Sequence, residues 1–193
     1  MPSSWASALL GPTLLVTPPG GGPPVSTPTD AHLSGKARVL LYMSASWCPP
    51  CKVFTPQLAA MYEDADGDEG DTAIVFISSD FDAASFSEYF KKMPWAALPW
   101  SPAASSALGT TFGVSGIPAL IALDGVDGAL LTTGARGLVT AARSLAPLAS
   151  LPKGELPVRG RALESLPSVW GGLLGAITCG MCAQPARGAP GRK

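Results

Sequence analysis

Trp47-Cys48-Pro49-Pro50-Cys51 lies between an apolar run and a segment of helical period. The run before it, Ala37-Arg38-Val39-Leu40-Leu41-Tyr42-Met43, holds no glycine or proline and reads as a buried strand. After it, Val53, Phe54, Leu58, Met61 and Tyr62 recur at three- and four-residue steps, which predicts a helix with one buried face. The two cysteines therefore fall where a strand ends and a helix begins. A helix N-terminus leaves backbone N–H groups unpaired and carries a partial positive charge, so it favours a thiolate over a thiol. Pro49 and Pro50 cost little there, because first-turn N–H groups have no intrahelical acceptor. The N–H of Cys51 is a natural donor to the Cys48 sulfur. Cys48 is thus the expected nucleophile, with the lower thiol pKa of the pair, and Cys51 the thiol that resolves its mixed disulfide.

A second pair, Cys179-Gly180-Met181-Cys182, makes a four-cysteine zinc site the alternative to redox chemistry. Structural zinc pairs usually sit closer in sequence, and the first pair here encloses two rigid prolines. We therefore expect no metal, and a redox role for Cys48 and Cys51. His32 is the only histidine and is expected to be a solvent-exposed bystander in a loop, which leaves Ser/His, Cys/His and His–metal sites unsupported.

The segment Ser44-Ala45-Ser46-Trp47-Cys48-Pro49-Pro50-Cys51 resembles the active site of tryparedoxins and nucleoredoxins, a branch of the thioredoxin-fold proteins. The resemblance continues through Phe54-Thr55-Pro56-Gln57-Leu58, the stretch from Tyr89 to Pro99 containing Met93-Pro94-Trp95, and Phe112-Gly113-Val114-Ser115-Gly116-Ile117-Pro118. It implies an α/β, thioredoxin-like fold: a central mixed β-sheet flanked by helices on both faces, with an N-terminal β-hairpin extension. It implies too that the Ile117–Pro118 bond is cis and faces the cysteines, so that Trp47, Pro49, Pro50, Ile117 and Pro118 form the substrate platform. Many thioredoxins carry a buried acid six residues before the first cysteine. Tyr42 stands there in this chain, so a proton relay would use water, the phenol or another group.

A chain of 193 residues with 47% hydrophobic and 14% charged side chains is globular. A net charge of −1 gives no basis for nucleic acid as a bulk partner, and no apolar run approaches the length of a membrane span. Residues 1–35 are a Gly/Pro-rich extension with seven prolines, five glycines and no Lys or Arg, which fits neither a secretory signal nor a transit peptide. Ala8-Leu9-Leu10 and Thr13-Leu14-Leu15-Val16 read as short strands, followed by a loop at 18–24 and a strand at Val25-Ser26-Thr27. Residues 36–165 form the thioredoxin-like domain, and 166–193 a flexible basic tail carrying Cys179 and Cys182 as an accessory redox pair or as accidental thiols.

Between Glu63 and Asp71 stand six carboxylates. A calcium loop is disfavoured, because glycine comes one position late and Val75 occupies the place of the bidentate glutamate. A solvated acidic turn is expected, at the pole opposite the cysteines. Residues 73–78 read as a second buried strand. Asp82 is a candidate N-cap for a helix with Phe86, Phe90 and Met93 inward, and Ser101-Pro102 opens a third helix with Leu108 and Phe112 inward. A strand at 119–123, a turn at 124–128, a strand at 129–133 and a helix at 138–145 complete the reading.

The expected chemistry is protein thiol–disulfide exchange, mostly reduction, with no cofactor beyond the Cys48–Cys51 dithiol. Alternatives are an oxidase or isomerase, and a binding module gated by the redox state of the pair. Expected partners are protein disulfides, peroxiredoxins among them, with a low-molecular-weight dithiol, glutathione or a reductase as electron donor. The expected location is the cytoplasm or the nucleus.

Overall fold

A computed structural model describes residues 4–152. Strands β3 (Arg38–Ser44) and β4 (Thr72–Ser78) lie side by side in parallel at the middle of a single sheet, and β4 is buried along its whole length. Such continuous apolar runs arise where both faces of a strand are covered. The full order, from one edge to the other, is β2 (Val25–Pro28), β1 (Thr13–Val16), β5 (Ala96–Ala97), β4, β3, β6 (Ala119–Asp124) and β7 (Leu130–Thr132). Strand β6 runs antiparallel to β3 and β5 runs parallel to β4, so the sheet is mixed. The hairpin of β1 and β2 joins through the antiparallel contact of β1 with β5.

Alternation along the strands sorts side chains onto two cores. Leu40, Tyr42, Ile74, Phe76, Leu120 and Ala122 point to one face, beneath α3 (Pro49–Glu63), α4 (Ala83–Phe90) and α6 (Ala135–Ala142). Val39, Leu41, Met43, Val75, Ile77 and Ile121 point to the other, beneath α1 (Ser4–Leu10), α2 (Thr29–His32) and α5 (Pro102–Thr111). This is the thioredoxin-like fold with helices on both faces. On the first face Phe76 meets the rings of Tyr42, Phe86, Tyr89 and Phe90, with centroids 5.8 to 6.4 Å apart. The helix starts follow their caps: the Asp82 side chain accepts from the Ser85 N–H at 2.7 Å, and the Ser101 hydroxyl from the Ala104 N–H at 3.2 Å.

Four readings of the sequence need correction. Ala8-Leu9-Leu10 is the last part of helix α1, not a strand: Ala6, Leu9 and Leu10 share one buried face, and Gly11 at φ 85° ends the helix. Val53 does not belong to the buried stripe of α3, which runs through Cys51, Phe54, Thr55, Leu58, Met61 and Tyr62 and leaves Val53 in solvent. The closing helix begins at Ala135, not Leu138, because Ala135 and Val139 are the inward pair. It ends at Arg143 in the left-handed region, before a 3₁₀ turn at Ala146–Ser150 that buries Leu148.

The fourth concerns His32. It ends α2 and is half-buried, with an Nε2 atom that finds no hydrogen-bond partner among the described residues. The acidic stretch does form a turn, with 3₁₀ residues Gly67–Glu69 at the N-terminal end of β4, opposite the cysteines. Asp68 there accepts from the Tyr62 hydroxyl at 2.5 Å, and its backbone carbonyl accepts from Lys36 Nζ. Burial lowers the His32 pKa, the Lys36 charge lowers it further, and Asp68 opposes them. A histidine whose folded pKa is depressed binds its proton more readily when unfolded. Its contribution to stability is therefore complete above the ordinary value of about 6.5 and is lost as pH falls through the lower folded value. Denaturant titrations from pH 7.5 to 5 are expected to show a fall in midpoint for the native chain and a shallower fall for His32→Gln. Parallel curves would contradict this assignment.

Candidate active site

Strand β3 ends at Ser44, the chain turns through Ala45, Ser46 and Trp47, and Cys48 caps helix α3 with φ −90° and ψ 110°. Pro49 and Pro50 fill the first helical positions and are exposed at the rim. Cys48 and Cys51 pair, with Cα atoms 5.2 Å apart, a separation that a disulfide spans without backbone movement. Both cysteines are enclosed with Ala45 beneath them and Ile117 packed alongside. Ile117 and Pro118 approach from the loop before β6, joined by a cis bond as the resemblance implied. The Ile117 carbonyl oxygen lies 3.7 Å from Cys48 Sγ. Ile117 is half-buried and reaches the surface, whereas Pro118 is buried behind it. Trp47 is half-exposed beside Cys48, and its indole N–H donates to the Ser79 carbonyl at 3.1 Å. Of the residues singled out in the sequence, Trp47, Cys48, Pro49, Pro50, Cys51, Ile117 and Pro118 thus converge. Cys179 and Cys182 lie outside the described residues.

Sequence reasoning missed a hydroxyl network beneath the pair. The Thr55 hydroxyl donates to the Cys51 carbonyl at 2.9 Å and also meets the Tyr42 and Tyr89 hydroxyls at 2.7 and 2.6 Å. One hydroxyl has one proton, so with that proton on the Cys51 carbonyl both phenols must donate to Thr55. The Ser44 hydroxyl lies 3.3 Å from Tyr89 Oη and extends the chain. Burial pushes the Tyr42 phenol up to about 12, so it remains neutral near pH 7 and is a donor there rather than a base. These hydroxyls hold the first turn of α3 from beneath.

Asp80 was missed as well. It is buried, and its carboxylate accepts from the Ser46 N–H and hydroxyl and from the Ser78 hydroxyl, each at 2.7 Å. It thereby ties the turn before Trp47 to the end of β4. The pairing of Ser44 with Ser78 in the parallel register brings these two strand ends to one edge. The signal was present in the two strand assignments, but their pairing had to be drawn to see it.

The Thioredoxin-like family matches residues 36–130. Tryparedoxin of Trypanosoma brucei brucei is 48% identical over 105 residues, which cover 54% of this chain and 72% of that protein. The chain belongs to the thioredoxin-like family. Within it, the likeness is to tryparedoxins and nucleoredoxins: nucleoredoxin of Danio rerio is 40% identical over 105 residues, 54% of this chain and 25% of the relative. This thioredoxin-like chain spans between 19% and 25% of the length of the nucleoredoxins it matches. Tryparedoxin II complexed with glutathionylspermidine aligns with a TM-score of 0.60 at 34% identity, covering 72% of this chain and 89% of that one. Membership of the family and the close Cys48–Cys51 pair support the general kind, a thioredoxin-family oxidoreductase, and are consistent with a CxxC redox site.

Proposed function

We propose that the chain is a protein thiol–disulfide reductase in which Cys48 attacks and Cys51 resolves. The observation that supports this most is the placement of Cys48 at the N-terminus of a 15-residue helix, paired with Cys51 and beside the open edge at Ile117. The Cys48 thiolate attacks one sulfur of a substrate disulfide, forming a mixed disulfide and releasing the other sulfur as a thiolate. The Cys51 thiolate then attacks Cys48 Sγ and displaces the second substrate sulfur. Two electrons pass to the substrate, two protons from solvent neutralise its thiolates, and the chain is left with a Cys48–Cys51 disulfide.

Trp47, Pro49 and Pro50 form the rim, and the backbone at Ile117 pairs with an extended substrate segment in the manner of an added strand. Buried Pro118 acts through that backbone and does not touch the substrate. No cofactor is required beyond the cysteine pair. Return to the dithiol takes two electrons from a low-molecular-weight thiol or dithiol, such as glutathione or the glutathionylspermidine type named with tryparedoxin II, or from a reductase. Protein disulfides, peroxiredoxins among them, are the proposed substrates. Such chemistry belongs in a reducing compartment, the cytoplasm or nucleus. Among the described residues no helix is long and apolar enough to cross a membrane.

The assignment of roles is tested by iodoacetamide alkylation of the reduced chain across pH, with peptide mapping. Cys48 should be modified first at neutral pH, because the helix N-terminus stabilises its thiolate. Earlier modification of Cys51 would reverse the roles.

A further inference from the structure

Phe81 directly follows the buried Asp80 and is 80% exposed, more than any other large hydrophobic side chain among the described residues. The residues on both sides of it are anchored. The Trp47 indole donates to the Ser79 carbonyl and the Trp100 indole to the Asp80 carbonyl, each at 3.1 Å. Asp80 is held by Ser46 and Ser78, and Asp82 caps α4. An apolar ring is thus fixed in solvent from both sides. It stacks on Trp47, with centroids 5.4 Å apart and planes 16° from parallel. Trp47 is itself 48% exposed and is the residue before the nucleophile. Two exposed rings on anchored backbone are the usual makings of a binding hot spot.

Both rings line a groove of about 510 Å³ that reaches Ile117. Its walls add Met43 and Val114 and a set of serine hydroxyls, Ser105 and Ser115 among them. Asp80 is the one charged residue on this lining, and three donors already occupy its carboxylate. The groove therefore presents apolar surface and neutral hydroxyls, with the Asp80 oxygens taken up by Ser46 and Ser78 and no cationic side chain on its lining to hold an anion.

We propose that the Trp47–Phe81 pair is a specificity determinant: it receives an uncharged aromatic or aliphatic side chain next to the reacting cysteine of an extended polypeptide, and so favours protein disulfides over small ionic ones. The proposal rests on the reductase reading above. Because Phe81 is exposed, its replacement leaves the core intact.

The test uses the full chain, reduced beforehand and freed of reductant, in single-turnover reactions followed by acid quench and mass spectrometry. Three oxidants are compared: a disulfide-linked peptide dimer with phenylalanine beside the cysteine, the same dimer with lysine there, and glutathione disulfide. The native chain should prefer the phenylalanine peptide. In Phe81→Ala the ratio of its rate to that of glutathione disulfide should fall by about 2- to 10-fold, the contribution of one aromatic pair. Phe81→Tyr should restore the ratio. An unchanged ratio in Phe81→Ala, or an equal slowing with all three oxidants, would overturn the proposal while leaving the reductase reading intact. A native chain that reacts with none of the three would overturn both.

Discussion

Cys48→Ser is expected to lower insulin reduction to the background rate of the added reductant alone. A serine hydroxyl is not ionised near neutral pH and forms no mixed disulfide, so both steps of the exchange are lost together. The fold should survive, because the change replaces one sulfur by oxygen at a helix cap, where serine is among the preferred residues. Turbidity assays of insulin reduction at matched protein concentration check this, with far-ultraviolet dichroism as the control. Retained turnover in Cys48→Ser would remove the pair from the chemistry. Loss of partner binding without any turnover in the native chain would instead favour the redox-gated module.

The largest effect on stability is expected at Phe76. This side chain is fully buried on β4 and touches rings from β3 and from α4. Phe76→Ala removes the shared partner of four aromatic groups and leaves a cavity that neighbours on two elements must collapse to fill. Buried Phe→Ala changes cost about 3–5 kcal/mol. A domain stable by about 5–15 kcal/mol would lose a large fraction of its margin. Urea unfolding should show a much lower midpoint with a similar slope. A midpoint within experimental error of the native one would mean that this cluster is not the centre of the core.

Local pattern was enough for the parts of the molecule that local chemistry determines. The apolar run at 37–43, the helical period after Cys51 and the prolines of the first turn placed the cysteines at a strand–helix junction. Asp82 and Ser101 announced their helices because capping is a contact within four residues. Where tertiary contact decides, the pattern was silent or misleading. Ala8-Leu9-Leu10 is too short to display a period, and only the burial of Ala6, Leu9 and Leu10 under the sheet distinguishes helix from strand. Val53 and Phe54 both satisfy the period of α3, and the width of the core admits only Phe54. His32 shares its surroundings with nearby Lys36 and with Asp68 of the acidic turn, which is far along the chain. The candidate site divides in the same way. Its cysteines and its Ile117–Pro118 edge were legible, whereas Thr55, Tyr89, Asp80 and Phe81 acquire their places only through the packing of α4 and the register of β3 with β4.

The central claim, that Cys48 alone makes the bond to substrate and Cys51 releases it, is tested most directly by trapping. Pre-reduced Cys51→Ser chain is mixed with a disulfide-bonded protein substrate, alkylated, digested without reductant and mapped by mass spectrometry. The account predicts a stable mixed disulfide between a substrate cysteine and Cys48, absent from Cys48→Ser and transient in the native chain. An adduct carried by Cys179 or Cys182 with Cys48 left free, or no adduct at all, would contradict it.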